Sequence, residues 1–198
     1  MDPVRTHASE PGDSAAAALA ATLRRTAADK GLRPYLLIDA ARAPETRFVI
    51  EALTDHALCL FDGSAFEDLA EVAPWLVPLT LDDEDDVFDW FMAEGFGQDR
   101  GILLLAGADA RRLKTALKRA LRVQDETGRE LFFKYYRPSV FNTYLPGFDP
   151  EQAAYVMRDI DQVWAEDGGD PLRLRRYAMR DGTLRRADLT LTLAGEEA

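Results

Sequence analysis

Between Pro34 and Tyr136 the hydrophobic positions fall into short continuous runs separated by segments of helical spacing. The runs Tyr35–Asp39, Ala57–Phe61, Trp75–Leu79, Gly101–Leu105 and Leu131–Tyr136 are each bounded by Gly, Pro or Asp and are predicted to be strands. Helices are predicted between them, over about Glu45–Leu53, Ala65–Val72, Glu84–Ala93 and Asp109–Val123. An Ala-rich segment from Ser14 to Lys30, with Asp13 or Ser14 as cap and Gly31 as stop, adds an N-terminal helix. Asp149–Trp164 presents Ala153, Val156, Met157, Ile160 and Trp164 at steps of three and four, which predicts a C-terminal helix. Beyond it, Asp181-Gly182 sits between two alternating stretches, a hairpin signal that places Leu172, Leu174, Tyr177, Leu189, Leu191 and Leu193 on one apolar face. The fold class is therefore α/β: a mixed central sheet covered by helices, with an N-terminal helix and a C-terminal helix plus β-hairpin. The expected organisation is a flexible tail over 1–13, one α/β domain over 14–165, and a hairpin with an acidic tail over 166–198.

The densest stretch runs from Gly128 to Gly147, with three Phe and three Tyr in twenty residues. At a period of two, Leu131, Phe133 and Tyr135 share one face and Glu130, Phe132, Lys134 and Tyr136 the other. The first is the expected core face; the second sets a lysine between aromatic rings. Pro138 suits the first position of a short helix, which would carry Phe141, Tyr144 and Leu145 before Pro146-Gly147 ends it.

Phe133-Lys-Tyr-Tyr-Arg-Pro-Ser-Val140 is similar to the Phe-Arg-aromatic-aromatic-Asp-Pro-Arg-Val signature of the type VI secretion effector adaptors, chaperones first catalogued as a domain of unknown function. Tyr35–Asp39, Ala73–Leu79, Gly95-Phe96-Gly97 after Trp90, and Gly101–Leu105 resemble further pieces of that family in the same order, so the resemblance runs from about Tyr35 to Pro146. It implies a bacterial cytoplasmic adaptor that binds a secreted effector protein and the spike protein of a type VI apparatus. Two departures follow: Lys134 stands where the family usually has Arg, and Arg137 where it usually has Asp. An Asp before Pro138 would cap the helix, a contribution of ~1 kcal/mol. Arg137 cannot accept those hydrogen bonds, so the cap is absent or supplied from elsewhere, and either another acid answers the two cations or this face has changed partner. The run Asp82–Asp86 is one candidate, although its position before Val87, Phe88 and Trp90 also suits a helix N-terminus. The resemblance also implies a further helical lobe beyond the core, where a short tail is expected here.

Charge narrows the function classes. Asp plus Glu number 35 against 24 Lys plus Arg, a net charge of −11 over 198 residues. This disfavours nucleic acid and anionic membrane as partners. No apolar run is long enough to cross a membrane, the Ala-rich N-terminal segment, acidic at its start, does not read as an export signal, and the lone Cys59 fits a reducing compartment, so a cytoplasmic location is expected. The helix at Asp109–Val123 gathers Arg111, Arg112, Lys114, Lys118, Arg119 and Arg122 on one face, a docking surface for an acidic protein or simply a solvated face.

Catalytic patterns are declined. Gly95-Phe96-Gly97 follows a helix and precedes a strand, the reverse of a phosphate loop, so a tight turn is expected. His7 lies in the tail and His56 is isolated, leaving His56 as sole candidate base for a hydrolase. Glu130 and Lys134 lack the paired acid that metal-assisted hydrolysis needs, and neither cofactor nor metal is expected. The function expected is binding, not catalysis. The partner-binding residues are Phe132, Lys134, Tyr136, Arg137, Phe141 and Tyr144, with Arg111, Arg112, Lys118, Arg119 and Arg122 as a second docking face. An immunity protein that neutralises a toxin is the alternative, and an α/β hydrolase a more distant one.

Overall fold

The computed structural model describes residues 11–124, 127–168, 170 and 172–192. Its elements run α1 (Pro11–Lys30), β1 (Arg33–Asp39), α2 (Thr46–Leu53), β2 (Leu58–Cys59), α3 (Ser64–Leu69), β3 (Pro74–Pro78) and α4 (Asp86–Trp90). They continue through β4 (Gly101–Ala106), α5 (Ala110–Ala120), β5 (Arg122–Gln124), β6 (Glu130–Phe132), α6 (Pro138–Tyr144), α7 (Pro150–Val156), β7 (Gln162–Glu166), β8 (Arg173–Arg180) and β9 (Thr183–Thr190). Seven strands form one sheet in the order β2-β3-β1-β4-β7-β8-β9, and β5 with β6 makes a separate two-stranded ribbon. The α/β class stands as expected. The sheet, left as mixed from the sequence, is antiparallel at every neighbouring pair.

The central strands are apolar at successive positions because helices cover both faces of the sheet. Leu36 and Ile38 of β1, Trp75 and Val77 of β3, Leu103 and Leu105 of β4 and Trp164 of β7 pack with Leu19 and Leu23 of α1, Ile50 of α2 and Phe88 of α4. The alternate residues Tyr35, Leu37, Leu76, Ile102, Leu104 and Val163 pack with Leu113 and Leu117 of α5, Phe141 of α6 and Val156 of α7. Each side chain of this size that is fully buried contributes about 1.5–3 kcal/mol. Gly101 is required at the β1–β4 pair, since a Cβ there would stand 2.8 Å from the Leu37 carbonyl oxygen.

Four expectations are corrected. The N-terminal helix begins at Pro11, so Asp13 and Ser14 lie within it instead of capping it; Gly31, at φ 63°, is the stop as expected. The tail expected over 1–13 otherwise lies, with His7, Leu193 and the acidic end, outside the described residues. The helix expected over Asp149–Trp164 ends at Val156, and Trp164 belongs to β7 in the middle of the sheet. The C-terminal hairpin extends the central sheet, β8 pairing with β7 and β9 with β8, but its expected single apolar face is divided between the two layers. Leu174 faces α1 while Tyr177, three residues on, faces the other layer, because an odd step along a strand changes face. The turn at Asp181-Gly182 has φ of 50° and 71°, the two left-handed residues that a two-residue hairpin prefers.

Fourth, the strand expected to reach Tyr136 stops at Phe132. The Phe133 N–H donates to the Leu121 carbonyl, and Arg137 N–H to the Lys134 carbonyl, so the chain turns and alternation is lost. Tyr135 and Tyr136 are consecutive, yet both are fully buried. Leu131, expected in the core, is exposed on the ribbon.

Candidate functional site

The β5–β6 ribbon leans over α6 and α7 and encloses a groove of about 840 Å³. Phe133 forms its floor, with Tyr144 edge-on at 6.1 Å between ring centres and Phe148 tilted at 5.7 Å. Leu131 and Phe132 stand on the ribbon side, and Tyr144 and Tyr155 on the helix side. These four are exposed although large and hydrophobic; Phe132 keeps 47% of its surface in solvent and Tyr144 56%. Phe132 also borders a second hollow of about 650 Å³ shared with Leu69, Arg119 and Arg122, and packs edge-on against Phe61. A contiguous apolar surface rimmed by polar groups is characteristic of an interaction site.

Of the residues expected to bind a partner, Phe132, Lys134, Arg137 and Tyr144 line this groove. Tyr136 and Phe141 do not, for both are fully buried; Phe141 packs edge-on against Tyr177 at 5.1 Å. They hold the scaffold and offer no surface. Of the second docking face, Arg122 reaches the groove, where it pairs with Glu130 at 2.6 Å. Arg122 belongs to β5, beyond the end of the helix expected to reach Val123; the cations of α5 itself are largely engaged within the chain: Arg112 with Asp159 at 2.6 Å, and Lys118, together with Lys114, with Asp62. Arg111 and Arg119 point to solvent, and the carbonyl of Arg119 accepts from the Tyr155 hydroxyl.

Behind the groove, two acids answer the two cations of the Lys134–Arg137 segment. Arg137 has extended backbone at the N-cap of α6 and provides no side-chain cap. Asp99 provides it from another loop. Its carboxylate accepts the Ser139 N–H at 2.7 Å, the Ser139 hydroxyl at 2.9 Å, and two N–H groups of the Arg137 guanidinium, one of them at 2.9 Å. Burial pushes the Asp99 carboxyl up, but the Ser139 and Arg137 bonds outweigh it and hold the carboxyl below its usual range. Lys134 is answered by Asp39, which ends β1 and is fully buried. The separation is 3.7 Å, beyond a hydrogen bond. One Asp39 oxygen accepts the Ala41 N–H at 3.1 Å; the other has no hydrogen-bond partner, nor does the buried Tyr136 hydroxyl. Burial therefore raises the Asp39 carboxyl, against the opposing pull of Lys134. The Tyr136 phenol is raised as well, by burial and then by Asp39. The Asp82–Asp86 run answers neither cation. Asp85 instead accepts the N–H groups of Thr80, Leu81 and Phe88 and caps α4.

The glycine turn carries a function that spacing alone does not reveal. Gly97, at φ 78°, and Asp99, at φ 56°, aim their N–H groups at the carboxylate of Glu166, the Asp99 bond measuring 2.8 Å. Such a left-handed loop makes a nest for an anion. Here the anion is the chain's own side chain, at the end of β7. Burial raises the Glu166 carboxyl, and the two N–H groups oppose that rise. Glu166, the 97–99 loop, Asp99 and Arg137 thus form one connected path from the sheet to the groove wall. Among the described residues no group of three or more His, Cys, Asp or Glu is placed to hold a metal ion. Among the described residues no helix is long and apolar enough to cross a membrane.

Residues 34–155 match a protein family described only as a domain of unknown function (DUF4123). That span runs from β1 into α7 and takes in both walls of the groove, while β7, β8 and β9 lie beyond it. No curated protein and no solved structure matches the chain.

Proposed function

The chain belongs to the DUF4123 family, and we propose that it is an adaptor chaperone that binds a type VI secretion effector in the cytoplasm and helps load it onto the spike. The observation that carries this reading is the groove: four large apolar side chains exposed together, beside the segment that resembles the adaptor signature. A chaperone covers a segment of its client that is unstable alone, and exposed Tyr and Phe on a fixed scaffold suit that task at low entropic cost. The chain acts by binding and not by catalysis.

Co-expression of the tagged chain with the protein encoded by the neighbouring gene, followed by size-exclusion chromatography with light scattering, tests the reading. The expected result is a stable complex with a neighbour that is insoluble when expressed alone. A neighbour that is soluble alone and ignores this chain removes the reading's support. Protection of cells from the neighbour's toxicity, with no effect on its delivery, would assign an immunity protein instead.

A further inference from the structure

Among the described residues four charged side chains line the groove, and three of them are cations: Arg122, Lys134 and Arg137, against Glu151. This sign is opposite to that of the chain, whose net charge is −11. The three cations are not equally committed. Arg122 is paired with Glu130, and Arg137 gives two guanidinium bonds to Asp99. Among the described residues Lys134 has only the 3.7 Å approach to Asp39, and its side chain is 38% exposed. An ammonium has three N–H donors, so Lys134, which lines the groove, has donors that the approach to Asp39 does not use.

Resting on the adaptor reading, we infer that the groove receives an apolar segment of a partner polypeptide bearing a carboxylate, and that Lys134 is the residue that recognises this acid. The apolar side chains seat between the ribbon and α6, over Phe133 and against Phe132 and Tyr144. The carboxylate meets Lys134 at the polar end, where the surrounding rings exclude water and strengthen the pair. The volume of about 840 Å³ lies in the range of ligand pockets and holds a few side chains, not a folded surface. Apolar burial supplies affinity; the charge supplies selection against basic segments.

The test selects short random peptides displayed on phage against the full chain, then remakes each recovered peptide with its Asp and Glu changed to Asn and Gln. The expected peptides combine aromatic or aliphatic residues with an acid. The amide versions should bind about tenfold more weakly, since a charge-assisted hydrogen bond contributes at least that factor. Lys134→Met should weaken the acidic peptides to the level of the amide versions, Lys134→Arg should restore them, and Tyr144→Ser should weaken both. Circular dichroism of each variant checks that the fold is retained. Recovered peptides without acids, or acidic peptides indifferent to Lys134→Met, overturn the inference. So does a failure to recover peptides, a homodimer that Tyr144→Ser dissociates, or a small apolar molecule that copurifies in the groove. If the neighbour-encoded protein binds wild type and Lys134→Met equally, this inference falls and the adaptor reading stands. If acidic peptides bind as expected while the neighbour does not, the adaptor reading falls and the peptide site stands.

Discussion

Asp99 and Asp39 meet neighbouring cations of one short segment, and they are bound in opposite ways. Asp99 accepts from the Arg137 guanidinium and from the backbone and hydroxyl of Ser139. Asp39 is more deeply buried, yet it has one backbone bond and a lysine held at 3.7 Å. The first acid is a satisfied clamp, with its charge stabilised by donors in place. The second is a charge whose burial is only partly offset. Depth alone does not determine what a buried carboxylate does for a fold; its donors decide the sign.

Removal of the clamp should have the largest effect. Asp99→Ala deletes the cap of α6 and leaves a partly buried guanidinium without its acid, and should cost about 3 kcal/mol in urea unfolding. A loss below about 1 kcal/mol would show that solvent already satisfies Arg137. Acid and base titration of stability should then separate the two acids. The folded Asp99 carboxyl is lowered, so its contribution is present above the ordinary aspartate range and is lost as pH falls through its folded value. The folded Asp39 carboxyl is raised, so its contribution is present at low pH and is lost as pH rises through its folded value. Thermal melts across pH should show Asp99→Asn losing the acid-side slope. Asp39→Asn should become more stable relative to wild type as pH rises; the reverse order would break the comparison. Smaller still is the pair of buried phenols. Tyr135→Phe gives up a 2.8 Å bond to the Leu117 carbonyl and should cost about 1 kcal/mol. Tyr136→Phe removes a hydroxyl that has no partner and should leave stability within about 0.5 kcal/mol. Equal losses in the two variants would mean that water bonds the Tyr136 hydroxyl.

What was legible in the sequence follows the same division between local and distant causes. β1, β3 and β4 are apolar on both faces, and such runs announce themselves. That the cap before Pro138 is absent or supplied from elsewhere is legible too, because an arginine cannot accept N–H groups; which of the two holds, and the identity of Asp99, is not, since Asp99 arrives from a loop about forty residues away. β7 was lost to a helical spacing that ran through Ile160 to Trp164. Its ends, Gln162 and Glu166, are polar, and they are buried only because the Trp164 indole donates to one and the 97–99 loop to the other. The groove was half visible. Lys134, Arg137, Phe132 and Tyr144 follow from composition and resemblance; Leu131 does not, because strand alternation puts it in the core, and Tyr155 does not, because the apolar spacing of its helix runs through Ala153 and Val156 instead. Phe141 was misjudged for the converse reason: a helix of seven residues shows too little periodicity to separate its buried face from its open one.

The path from Glu166 through the 97–99 loop to Arg137 has a consequence for kinetics. It fixes the start of α6, and with it one wall of the groove, to the end of a central strand before any partner arrives. A wall already in place requires little rearrangement on encounter, so association should proceed at a rate set by diffusion and charge. Changes to the groove's apolar side chains should then appear in how long a complex lasts, not in how quickly it forms.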